Sequence, residues 1–163
     1  MFETERCMIQ SLKKADYHDV QELYFNEEVR KYLGGVRSIS EDTMEKMLEI
    51  GAGEYHWTIR EKQTNDFVGS VSLGPHHDGT YFEISYQLLP KWWGAGFATE
   101  VVQVILHFAF DHLKLPKIVA ETQVANIPSC QLLERIGMKL ERTTIRFGEK
   151  QAIYAMEVTA FSL

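Results

Sequence analysis

The sequence predicts an α/β protein of the α+β type: a mixed, mostly antiparallel twisted sheet of about 6–7 strands, helices on both faces and one parallel β-α-β crossover. Three observations carry this. Between Trp57 and Leu89, apolar and polar residues alternate in short runs broken by turn residues, the pattern of antiparallel hairpins. An apolar helix from Phe97 to Leu113 then joins two β-rich runs, and such a strand–helix–strand connection is parallel and right-handed. No repeat, low-complexity tract or Pro/Gly/Ser-rich linker interrupts the chain, so residues 1–163 read as a single domain.

A short strand through Met8 and Ile9 precedes a helix capped at Asp16, with Tyr17, Val20, Leu23 and Tyr24 on one face. Asn26 caps a short turn ending at Gly34-Gly35. Ser40 caps the next helix: Glu41 and Asp42 sit where its dipole favours acids, Met44, Met47 and Leu48 line one side, and Gly51 ends it. Strands follow around Trp57 and Ile59 and from Phe67 to Leu73, separated by the turn Gln63-Thr64-Asn65-Asp66, and Gly74 to Gly79 turns the chain again. From Tyr81 to Leu89, Phe82, Ile84, Tyr86 and Leu88 share one face and Glu83, Ser85 and Gln87 the other; Pro90, lacking an N–H, halts the ladder. The helix from Phe97 is apolar nearly all round, except for a stripe through Glu100, Gln103, His107, Asp111 and Lys114, so it must lie against the sheet. Lys117 to Thr122 is a strand, a helix runs from Pro128 to Ile136 with Gly137 as its stop, and two strands turning at Gly148-Glu149-Lys150 close the fold.

With 45% hydrophobic and 12% aromatic residues, the 163-residue chain can bury one substantial core. The net charge of −6 excludes a protein that grips nucleic acid through a broad basic face, and suits a basic substrate. Cys7 and Cys130 stand far apart with no Cys-x-x-Cys pair, which indicates neither a disulfide framework nor a zinc site. His76-His77-Asp78, beside Gly74, Pro75 and Gly79, reads as a hairpin turn, and no metal is expected. No apolar run reaches the ~20 residues of a membrane span, and the N-terminus lacks the basic-then-apolar order of a signal peptide. A soluble cytoplasmic protein is expected.

The stretch from Pro90 to Glu100 carries the strongest chemical signal. Gly94 and Gly96, one residue apart, let backbone N–H groups converge on an anion, and the following helix adds its positive end at the same spot. Alone, such a pair serves equally as a tight strand-to-helix connection. A dinucleotide fold would place the turn after an early strand and require a third glycine, where this chain has Thr99.

Two segments resemble the GCN5-related N-acetyltransferases, and within them the branch of the ribosomal-protein alanine N-acetyltransferases. The family's cofactor motif, Gln or Arg, two residues, Gly, one residue, then Gly or Ala, falls on Lys91 to Gly96, with Lys91 in the first position. Asn126 to Met138 is similar to the family's Asn-x-x-Ser segment ending in Gly-Phe, with Met138 in place of Phe. Together they span about residues 81–140, while the residues before them match only in the order of elements.

The resemblance implies acetyl-CoA as co-substrate, with its pyrophosphate on the backbone amides of Trp93, Gly94, Ala95, Gly96, Phe97 and Ala98. Its pantetheine arm would run alongside Leu88 and Leu89, one of whose N–H groups would polarise the thioester carbonyl, with Asn126 and Ser129 on the far side. The implied reaction is direct transfer in a ternary complex to a primary amine, of a small molecule or a protein N-terminus, by a monomer or homodimer. Residues 24–55 would cover the acceptor side.

For the base, Glu121 stands where the resemblance puts a glutamate, and Glu83 on the preceding strand competes with it; a water relay, with both as solvated carboxylates, is the alternative. For the acid, the position where many relatives carry Tyr is Leu133. Ser129 could pass the proton to sulfur or could cap its helix. Cys130 has no visible activating partner, so a covalent route is not expected. Two other readings stay open, a catalytically weak acyl-CoA-binding module and a nucleotide-binding protein of another fold.

Overall fold

The computed structural model describes residues 1–49 and 53–161. The expected helix stop at Gly51 lies outside the described residues. Among those described, eight strands form one sheet in the order β1-β2-β3-β4-β5-β6-β8-β7. They are β1 (Phe2–Glu3), β2 (Cys7–Ser11), β3 (Tyr55–Glu61), β4 (Phe67–Pro75), β5 (Phe82–Leu88), β6 (Lys117–Gln123), β7 (Lys139–Arg146) and β8 (Glu149–Glu157). The count exceeds the expected 6–7 because β1 is a two-residue strand, too short to show any alternation. β5 and β6 run parallel and the other pairs antiparallel, as the crossover pattern predicted.

Helices cover both faces. On one, α4 (Phe97–His107) and α5 (Ile127–Arg135) bury Val101, Val102, Ile105, Leu106, Leu132 and Leu133 against Ile84, Leu88, Ile118 and Ala120. Each such side chain contributes about 1.5–3 kcal/mol by leaving water. On the other lie α1 (Tyr17–Phe25), α2 (Glu27–Arg30) and α3 (Glu41–Leu48), where Val20 and Met44 pack with Leu12 and Ile39. No described helix is long and apolar enough to cross a membrane.

Two helix caps form as expected: Asn26 accepts from the Val29 N–H at 3.0 Å and Ser40 from the Thr43 N–H at 3.1 Å. Asp16 does something else. Its carboxylate accepts from the Lys13 N–H and, with Asp19, from the Arg60 guanidinium, tying the start of α1 to β3. The crossover helix is also shorter than expected, because its regular turns end at His107 and Phe108–His112 form a wider π-turn closed by Leu113 N–H on the Phe108 carbonyl.

The parallel ladder is the feature that builds a site. It holds only Phe82 with Ile118 and Glu83 with Val119, while β6 pairs with β8 along its whole length and β5 with β4 up to Leu88. Beyond Glu83 the two central strands therefore part, and the sheet opens into a wedge.

Candidate active site

The wedge leads to the glycine turn. Gly94 and Gly96 adopt φ of 73° and 86°, a region that side-chain-bearing residues occupy at a cost, so both positions favour glycine. A Cβ on Gly94 would meet nothing within 4 Å, so the protein leaves open space on that side of the turn. At Gly96 a Cβ would lie 3.3 Å from the Arg6 guanidinium. Arg6 clamps the first turn of α4 by pairing with Glu100 and stacking 4.0 Å over the Phe97 ring.

The structure sorts the expected amides. The Trp93 N–H is committed to the Pro90 carbonyl, and the Leu89 N–H to Val68 on β4. Alternation along β5 turns the Leu88 N–H the other way, into the wedge. The Leu88 carbonyl on that side receives the Trp93 indole N–H at 2.8 Å, so this half-exposed tryptophan braces the strand end. At α4 the Glu100 N–H is the first to find a helical acceptor, the Gly96 carbonyl, which leaves those of Phe97, Ala98 and Thr99 as helix-start donors. The Phe97 side chain is buried, so only its backbone faces the turn, and Ala95 is exposed at its tip. An open glycine turn, helix-start amides and a splayed strand edge fit a ligand with an anionic diphosphate and an extended amide-bearing arm.

Across the wedge, Asn126 caps α5, accepting from the Ser129 N–H at 3.4 Å. Ser129 is thus not the cap, and its Oγ lies 3.2 Å from the Tyr86 hydroxyl of β5. Burial raises the Tyr86 phenol above its ordinary value despite the Ser129 hydrogen bond. Leu133 is buried in the core under the sheet.

Glu83 and Glu121 come together on the opposite face. Glu121 Oε1 meets His76 Nε2 at 2.8 Å and His77 Nε2 at 3.0 Å, and its Oε2 accepts from Arg146 at 2.9 Å. Burial alone would raise this carboxyl, but the hydrogen bonds from Arg146 and the two histidines hold it below its ordinary value. Glu83 is raised by burial, which the pull of His76 only partly offsets. His76 is buried, yet Glu121 and Asp78 overcome that burial and raise its pKa. The two histidines and Glu121 lie near enough together to share a metal ion; Arg146 binds the second carboxylate oxygen, and Asp78 lies 3.1 Å from the second His76 nitrogen.

Farther along β4 and β5, a small cavity of about 70 Å³ has Ser70, Ser72, Ser85 and Gln87 in its floor, with Leu12, Val20, Tyr24 and Met47 also lining it. Cross-strand pairing sets its floor, Ser70 opposite Gln87 and Ser72 opposite Ser85.

Sequence reasoning missed His76, His77, Arg146 and Tyr86 as members of these clusters. The histidines reach Glu121 only through the β5–β6 register, and Arg146 through the β7–β8 hairpin, pairings that no local pattern announces. Tyr86 carried a usable signal, since alternation had already set it on the face of Leu88.

Comparison with known proteins agrees with this geometry. The family model described as acetyltransferase (GNAT) domain matches residues 6–139. The uncharacterized N-acetyltransferase YoaA of Bacillus subtilis is 27% identical over 150 residues, which cover 86% of this chain and 84% of that one. Among solved structures, a GNAT-family acetyltransferase from Bacillus anthracis superposes with a TM-score of 0.82 at 26% identity, covering 96% of this chain and 98% of that one. A spermidine N-acetyltransferase from Vibrio cholerae, in complex with CoA and spermine, reaches a TM-score of 0.82 at 20% identity over 94% of this chain and 96% of that one, a likeness of fold. The match runs from the start of β2 to the start of β7 and takes in the glycine turn, the wedge and both glutamates, and the chain belongs to the GNAT acetyltransferase family, whose acetyl donor is acetyl-CoA.

Proposed function

We propose that the protein transfers acetyl from acetyl-CoA directly to a primary amine within a ternary complex, in the manner of the ribosomal-protein alanine N-acetyltransferase branch. The observation that carries this is that β5, unpaired with β6 beyond Glu83, runs through Leu88 into the open glycine turn, where Leu88 would hold the thioester and the turn the diphosphate. When bound, acetyl-CoA supplies an acyl group activated as a thioester. The Leu88 N–H is the group that faces its carbonyl, and Asn126 and Ser129 border the arm from α5.

The acceptor belongs on the other face of β5, in the cavity lined in part by Tyr24 and Met47. An amine arrives as an ammonium ion and must lose a proton before it attacks. The environments of Glu83 and Glu121 push their pKa values apart, which supports different roles for the two. Glu121 stays ionised, held by Arg146 and the two histidines, and Glu83 takes the proton through water. Small polyamines and protein N-termini both present such an amine, and spermine is bound in the Vibrio cholerae structure.

The test is a turnover screen with acetyl-CoA over polyamines, amino acids and peptides with free N-termini, following thiol release. Acetylation of one class confirms the reading and names the acceptor. Tight acetyl-CoA binding without thiol release across the panel supports the acyl-CoA-binding module.

A further inference from the structure

The chain has Leu133, buried in the core, where the resemblance leads one to look for a proton-donating tyrosine, and a different tyrosine reaches the same cleft from the opposite wall. Tyr86 is on β5, two residues before Leu88, on the stretch that has lost its β6 partner. Its side chain points to the α4–α5 face, and its hydroxyl shares a hydrogen bond with Ser129 Oγ at 3.2 Å. That hydroxyl meets the first turn of α5 at Ser129, and the positive end of the helix favours a developing phenolate against the burial that disfavours it.

Resting on the acetyltransferase reading above, we infer that Tyr86 is the acid of the reaction, giving its hydroxyl proton to the departing sulfur, with Ser129 as the relay that returns a proton from solvent. The step balances. The amine nitrogen bonds to the acetyl carbon, the carbon–sulfur bond breaks, and its electron pair stays on sulfur. Tyr86 protonates that sulfur, Ser129 reprotonates the phenolate and draws its own proton from water, and the proton shed by the amine leaves on the Glu83 side. Acid and base thus stand on opposite faces of one strand.

The inference has a readout that needs no turnover: the pKa of the thiol of bound CoA, followed by the ultraviolet absorbance of the thiolate. A phenol that donates to sulfur stabilises the thiolate and lowers that pKa. Tyr86→Phe keeps the ring and its packing, so CoA affinity by calorimetry should stay within threefold of wild type by design of the substitution. The bound thiol should then titrate at higher pH, and kcat on any accepted amine should fall roughly a hundredfold. Ser129→Ala should move the thiol the same way by less. An unchanged thiol titration in Tyr86→Phe overturns the inference. If wild type binds CoA but acetylates no amine, the acetyltransferase reading falls, while the thiol titration still decides whether Tyr86 faces the sulfur.

Discussion

His76 Nε2 lies 2.8 Å from Glu121 Oε1, which ties the β4–β5 turn to β6 at the level where the parallel ladder has just ended. The contact closes one end of the wedge that opens toward Leu88. It also sets an ionised carboxylate beside Glu83, whose burial favours the proton-bearing form.

Glu83→Gln and Glu121→Gln should separate in steady-state kinetics on whichever amine the screen identifies. Removing the proton acceptor lowers kcat by about 10²-fold or more. Removing the Glu121 charge, which holds Arg146 and the histidines beside Glu83, leaves kcat closer to wild type. Glu121→Gln should also lower stability in urea by about 1–3 kcal/mol, since Arg146 and His76 lose their ionic partner. Equal losses of kcat in both variants would remove the division of roles.

Stability should be greatest on the acid side of neutrality. His76 has a folded pKa above its ordinary 6.5, so its contribution is complete below that pH and is lost as pH rises through the raised value. Glu121 has a folded pKa below its ordinary 4.5, so its contribution is complete above that pH and is lost as pH falls through the lowered value. The two overlap between about 4.5 and 6.5, and Glu83, raised above its ordinary 4.5, costs stability as pH climbs from that value, which draws the maximum toward the acid end of the window. Urea midpoints measured from pH 4 to 9 check this, and His76→Asn should flatten the alkaline decline.

Gly94→Val should abolish measurable acetyl-CoA binding by calorimetry while the protein still folds. The new side chain meets no protein atom near its Cβ, and the positive φ costs about 1–2 kcal/mol. Lost affinity then reports the approach of the ligand's phosphates to the turn. Affinity equal to wild type would detach the turn from the cofactor.

Leu133→Tyr places a phenol at the position where the resemblance looks for one. Leu133 is 1% exposed within the main core, so the larger ring should destabilise the fold by about 1–3 kcal/mol and give no gain in kcat. Thermal unfolding and turnover, measured together, test both halves.

The order of elements was legible because it rests on local signals: the alternation in β5, the caps at Asn26 and Ser40, and the prolines and glycines between them. The glycine turn was legible for the same reason. The split of the ladder after Glu83 was not, since it depends on the relative course of two strands separated by α4. With it went the histidine–glutamate–arginine network and the reach of Tyr86 to Ser129, because each joins residues far apart in sequence. Asp16 misled for a related reason: a carboxylate before a helix looks like a cap, and its distant partner Arg60 leaves no local trace.

Two residue pairs are a thin seam between strands β1 to β5 and strands β6 to β8. Beyond that seam, an extended ligand lying in the wedge would take the place of the missing rungs and behave as a removable ninth strand. The common core under α4 and α5 already joins the two parts, so filling the wedge would show itself locally, as slower solvent exchange of the amides at the end of β5.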